Sequence, residues 1–208
     1  MERIWTIRTN RDILEAGRFD IFANRRSAKG GNMENRSIEE IITAAKEAHE
    51  RKAFKEEAAI WQEIADLGDA YGQLRLGECY EKGIGVKRDY EKAFGWYSKS
   101  ADQNHLGAQY CLGFFYQKGY FVKKDHAKAI FWYAKSAEQN MPFAQYELAR
   151  YYEKGKVVPR DLAKAEELYG KAARCGYTVA EKPLKRVRKK IERANNADKK
   201  KGRFARYD

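Results

Sequence analysis

Cysteine and histidine are scarce, with three of each in 208 residues. Cys79, Cys111 and Cys175 show no metal-ligand spacing, and their odd number argues against a disulfide framework. Reduced, half-buried thiols are the expectation. His49, His105 and His126 have no motif partner, so the usual zinc and acid–base signatures are missing. Gly-x-Ser-x-Gly, Ser-x-x-Lys and Cys-x-x-Cys do not occur either. The residues therefore give no reason to expect an enzyme, and they require no cofactor and no metal. No apolar run approaches the length that spans a bilayer. The opening residues, MERIWTIRTN, are charged and lack the apolar centre of a secretory signal. A cytoplasmic protein is expected, with export as an effector left open.

What the chain does have is positive charge, and its location is informative. The formal net charge is +12, of which residues 1–32 carry +3 and residues 182–208 carry +9. The intervening body is neutral, so an electrostatic partner is sought first at the ends. With 43% hydrophobic residues, a packed core is expected.

The body repeats with a period of 36 residues. "GIGVKRDYEKAFGWYSKSADQN" starts at Gly83, "GYFVKKDHAKAIFWYAKSAEQN" at Gly119 and "GKVVPRDLAKAEELYGKAARCG" at Gly155. Each copy reads as a first helix, a short loop and a second helix. Leu76, Leu112 and Leu148 share a helix face with Tyr80, Tyr116 and Tyr152. Gly77, Gly113 and Ala149 are small enough to let a second helix approach. Gly83, Gly119 and Gly155 suit left-handed C-caps. Asp89, Asp125 and Asp161 suit N-caps. Asn104, Asn140 and Gly176 close the second helices with residue types that tolerate positive φ. The second-helix pattern extends upstream to "AFKEEAAIWQEIADLG". Its partner, "SIEEIITAAKEAHERK", opens with a capping box of Ser37 and Glu40.

These residues resemble the Sel-one-like repeat, a relative of the tetratricopeptide repeat. The segment Ala108–Ala137 follows its pattern A-x-x-x-L-G-x-x-Y-x-x-G-x-x-V-x-x-D-x-x-K-A-x-x-W-Y-x-K-x-A throughout. The first copy has Gly72 for the opening alanine; the third has Ala149 for Gly and Leu168 for Trp. The resemblance implies an all-α fold, an α-solenoid of stacked antiparallel helix pairs in a right-handed superhelix. It also implies an adaptor or scaffold that binds other proteins. The regular cysteine pairs of the family's cysteine-rich branch, associated with β-lactams, are absent. In this frame Gly83, Gly85, Trp96 and Tyr97 are structural: a phosphate loop needs G-x-x-x-x-G-K-[ST] between strand and helix.

Four regions follow: an N-terminal extension over 1–36, a divergent helix pair over 37–69, three repeats over 70–181, and a basic helix and tail over 182–208. Met33 is a candidate natural start. First helices of such arrays usually line the concave side. Their variable positions, Arg75, Cys111 and Glu147 in one row and Glu78, Phe114 and Arg150 in another, are the candidate partner-binding residues. Phe114 is the candidate anchor. A basic loop strip runs through Lys87, Arg88, Lys123, Lys124 and Arg160. In the last region, Leu184, Val187, Ile191 and Ala194 make a thin apolar stripe for a capping helix. Lys185, Arg186, Arg188, Lys189, Lys190, Lys199, Lys200, Lys201 and Arg203 form a candidate anion-binding tail. The stretch "NNADKKKGRFARYD" has too little apolar content to fold alone. Two readings stay open: a protein-binding adaptor, and a factor that binds nucleic-acid phosphates or another anionic surface through the tail.

Overall fold

The computed structural model describes residues 37–204, with side chains through Ala197. The N-terminal extension with Met33, and the side chains of Lys199, Lys200, Lys201 and Arg203, lie outside the described residues. The fold is all-α, and the described residues contain no strand. The chain divides into two compact units at Lys124 and Asp125, inside the second repeat.

The first unit holds α1 (Ile38–Glu50), α2 (Phe54–Asp66), α3 (Ala70–Lys82), α4 (Tyr90–Asp102) and α5 (Leu106–Lys118). The second holds α6 (His126–Glu138), α7 (Pro142–Lys154), α8 (Leu162–Arg174), a 3-10 turn (Thr178–Ala180) and α9 (Glu181–Phe204).

Local chemistry sets the helix ends. Ser37 and Glu40 close the capping box at α1: the Glu40 N–H donates to Ser37 Oγ and the Ser37 N–H donates to Glu40 Oε2. Asp89, Asp125 and Asp161 accept from the backbone N–H groups of Lys92, Lys128 and Lys164. Each such cap stabilises its helix by about 1 kcal/mol. Gly83, Gly119 and Gly155 end the first helices in the left-handed conformation. Asn104, Asn140 and Gly176 follow the second helices with φ of 63°, 64° and 82°.

In the first unit, Ile41, Ile42, Trp61, Ile64, Leu76 and Cys79 build one core, with Val86 and Trp96 packed on its edge. Tyr97 is wholly buried beside Gly77, where a Cβ would lie 2.6 Å from the ring. The small residue is what seats the ring. Gly85 brings the loop onto the start of α2: a Cβ there would meet the Phe54 carbonyl oxygen at 1.8 Å. In the second unit Tyr133 and Tyr169 are fully buried as well. Burying each such ring is worth about 2–3 kcal/mol.

The 3-10 turn and α9 follow the last repeat. Ala180 and Leu184 fall 36 residues after Ala144 and Leu148, and both are buried. The end of the chain therefore keeps the register of a further first helix. Lys185 occupies the seat held by Gly77, Gly113 and Ala149, and it is exposed. Apolar content predicts no structure of its own after Asn195, yet α9 runs on to Phe204. A helix that is already nucleated and docked adds one hydrogen bond per residue fixed, so it extends where an isolated segment would not start.

Candidate functional site

The first-helix positions are best followed one unit at a time. In the first unit Arg75 is less free than its variable position suggests. Its Nη1 donates to Glu78 Oε2 at 2.8 Å, its Nη2 lies 3.8 Å from Glu57 Oε1, and its guanidinium sits 5.4 Å from the Trp61 ring centroid. Glu57 is 1% exposed; it accepts from Trp61 Nε1 at 3.3 Å and lies 2.8 Å from His49 Nδ1. Glu78 is buried as well. Three helices thus meet in one satisfied polar cluster, whose Arg75 Nε alone has no acceptor. A buried ion set of this kind fixes how helices meet more than it adds stability. Cys111 is half-buried, and burial raises its thiol pKa. Phe114 is half-buried, edge-on to Tyr120 at 5.8 Å with Lys118 over its ring at 5.4 Å.

In the second unit Arg150 Nη1 donates to both carboxylate oxygens of Glu147 at 2.8 Å, and its guanidinium lies 5.9 Å from the Tyr146 ring centroid. The basic helix is tied down at its start. Arg186 and Lys190 close on Glu153, and Arg188 Nε donates to Glu166 Oε1 at 2.8 Å. Lys185 and Lys189 are exposed. The candidate tail therefore splits into residues that hold α9 in place and residues that face solvent.

The Sel1 repeat model matches residues 70–105, 107–141 and 142–177, just over half of the chain. The chain belongs to the Sel1 repeat family. A Sel1 repeat protein from Oxalobacter formigenes is 28% identical, with a TM-score of 0.64 over 68% of this chain and 58% of that one. The c5321 protein, a protective antigen of uropathogenic Escherichia coli with an SLR fold, is 32% identical, with a TM-score of 0.66 over 73% of this chain and 33% of that one. Among curated proteins, the putative sel1-like repeat-containing protein L18 of Acanthamoeba polyphaga mimivirus is 46% identical over 41 residues, 20% of this chain and 7% of that protein. Protein sel-1 homolog 2 of Mus musculus is 33% identical over 61 residues, 29% of this chain and 9% of that protein. The matched stretches thus span less than a tenth of either curated relative.

Sel1 repeats generally form protein–protein interaction modules, and the family's members are typically non-catalytic scaffolds. Burial, followed by the negative field of Glu57, pushes the Cys79 thiol up to about 12. A thiol so held is a poor nucleophile. Among the described residues no group of three His, Cys, Asp or Glu side chains can hold a metal ion. No described helix is long and apolar enough to cross a membrane. Two features escaped the sequence reading. Glu153 gave no sign of its partners on α9, which lie 33 and 37 residues away. The register of Ala180 and Leu184 was present in the 36-residue spacing but was masked by the lysine at 185.

Proposed function

We propose that this Sel1 repeat chain is a non-catalytic adaptor that holds a protein partner on its first-helix face. The observation that carries the reading is Phe114. The C-cap glycines, the N-cap aspartates and the buried Tyr97, Tyr133 and Tyr169 are taken up by capping or packing, whereas Phe114 stands at a variable position, where the other repeats have Glu78 and Arg150, and keeps part of its ring in solvent beside Lys118. A partly exposed aromatic on a rigid helix is the residue type that anchors interfaces. Arg75 with Glu78, and Arg150 with Glu147, present held charges on the same face of their own units. Of the candidate tail residues, Arg186 and Lys190 are engaged by Glu153 and Arg188 by Glu166, which takes them from the phosphate-binding alternative.

The test is a nuclease-treated affinity capture with the full chain, Phe114→Ala and Arg150→Glu, read by mass spectrometry. A protein retained by the wild type and lost with Phe114→Ala supports the reading. Capture that disappears on nuclease treatment, or that is equal for all three chains, overturns it.

A further inference from the structure

A second surface lies on the first unit where α2, α3 and α4 meet. Gln62 of α2, Tyr80 of α3 and Lys92, Gly95, Trp96 and Lys99 of α4 line a shallow open groove of about 330 Å³. Lys92, Trp96 and Lys99 are spaced four and then three residues apart, so they share one helix face. The two lysines stand about 10 Å apart along the axis. Lys92 Nζ sits 5.2 Å from the Tyr80 ring centroid, and Lys99 Nζ sits 4.0 Å from that of Trp96. Among the described residues neither ammonium has a carboxylate partner. Gln62 is held at the edge by its own bond to Asp66 Oδ1 at 2.9 Å.

Gly95 is the informative residue. It stands in mid-helix, where glycine costs about 1 kcal/mol relative to alanine. Nothing lies within 4 Å of the place its Cβ would occupy. Packing therefore does not require it, unlike Gly77 and Gly85. Its effect is to leave the floor of the groove open beside Trp96.

The next repeat shows what fits there. The position 36 residues on is Phe131, next to Trp132. Within the second unit the Phe131 ring lies edge-on to Trp132, with centroids 5.2 Å apart at 77°. Lys135 stands over both rings, at 4.8 and 5.3 Å. One repeat carries its own phenylalanine at this place and the other leaves it vacant; both keep the two lysines, Lys128 and Lys135 in the one and Lys92 and Lys99 in the other.

We propose that the Gln62–Tyr80–Lys92–Gly95–Trp96–Lys99 groove receives an acidic peptide segment of another protein, one aromatic side chain entering above Gly95 and flanking carboxylates pairing with Lys92 and Lys99. Charge complementarity names the flanks, and Phe131 names the insert. A nucleobase fits less well. Bases stack face to face on aromatic platforms, whereas the filled repeat shows an edge-on ring under an ammonium. This surface does not depend on Phe114, and the two readings can fail separately.

The experiment is fluorescence anisotropy on the full chain, with a dye-labelled peptide of one phenylalanine flanked by glutamates. The expected results are saturable binding to the wild type, and affinity weakened roughly tenfold or more by Lys92→Glu with Lys99→Glu. Gly95→Leu fills the open space; it is expected to keep the wild-type Tm or raise it, and to weaken binding roughly tenfold. Replacing the peptide's phenylalanine by alanine is expected to weaken binding roughly fivefold or more. Phe114→Ala is expected to bind as the wild type does. Equal binding by wild type and Gly95→Leu, or by wild type and the charge-reversed chain, overturns the proposal. So does absence of saturable binding, tighter binding of an oligodeoxythymidine strand at the same salt, or loss of the peptide on Phe114→Ala.

Discussion

Arg186 grips Glu153 at two points, Nε to Oε1 at 2.9 Å and Nη2 to Oε2 at 2.7 Å, and Lys190 adds a third contact at 2.9 Å. Tyr169 donates its hydroxyl to the same carboxylate at 3.1 Å. Burial alone would raise the Glu153 pKa, but these donors outweigh it and hold the group near about 2, against an ordinary 4.5. A lowered folded-state pKa stabilises above the unfolded value and fails as pH falls through the folded one. The contribution is full above pH 4.5 and lost between there and about 2. At ~1.4 kcal/mol per unit the shift sets a ceiling of about 3 kcal/mol, reduced to about 1–2 kcal/mol by the exposure of Arg186 and Lys190. Acid should free α9 first, seen as fast amide exchange at its start. Glu153→Gln should show that exchange already at neutral pH, with no further change over this range. Equal protection in both chains at neutral pH would refute the clamp.

Two glycines ten residues apart should respond to alanine with opposite signs. Gly85 has φ of 70°, but so does its counterpart Phe121 at 62°, which shows that backbone angle alone is tolerated. The Phe54 carbonyl 1.8 Å from the missing Cβ is not. Gly85→Ala should therefore destabilise the first unit by about 2–4 kcal/mol. Gly95→Ala meets nothing and should stabilise by about 1 kcal/mol. Urea unfolding of the two variants checks both signs.

Glu81 and Gln117 hold the same place in successive repeats. Glu81 accepts the Tyr97 hydroxyl at 2.5 Å. Burial raises its pKa, with the hydrogen bond opposing. A raised carboxyl favours folding below the unfolded pKa and loses that advantage as pH rises through the folded one. Glu81→Gln should remove this loss, leaving the chain more stable than wild type at neutral pH and its stability flatter as pH rises above the ordinary carboxylate range. Thermal melts over that range test it; a less stable variant at pH 7 would count against the argument.

His105 caps α5 through a ring nitrogen: the Gly107 N–H donates to Nδ1 at 3.2 Å. Burial lowers the imidazole pKa. The neutral ring is thus the folded form, and its contribution is complete above 6.5 and fades as pH falls below it. Protonation also removes the acceptor. His105→Asn, which caps at any pH, should abolish the mild loss of stability expected between pH 6.5 and 5, a difference of about 1 kcal/mol. Titration of the His105 ring by NMR, with a pKa at or above 6.5, would be the contrary result.

Legibility followed the range of the interactions. The capping aspartates, the C-cap glycines and the Ser37–Glu40 box could be read directly because each acts within four residues. Gly77, Gly113 and Ala149 could be read because the repeat states them three times. Arg75 and Glu78 read as a variable face, yet Arg75 also meets Glu57 and Trp61, and His49 stands behind Glu57, all on two other helices that no local rule connects. Arg186 and Lys190 read as charge for an external anion, although the carboxylate that holds Arg186 is 33 residues upstream. The extension of α9 to Phe204 was illegible for a different reason, since composition reports on nucleation and not on propagation.

Lys185 has one more consequence. Arrays of this kind lengthen when one unit offers the next a surface to stack on. A lysine at the place where Gly77 receives the Tyr97 ring leaves no such seat on α9. One exposed side chain thus makes α9 a poor template for a second helix of this kind.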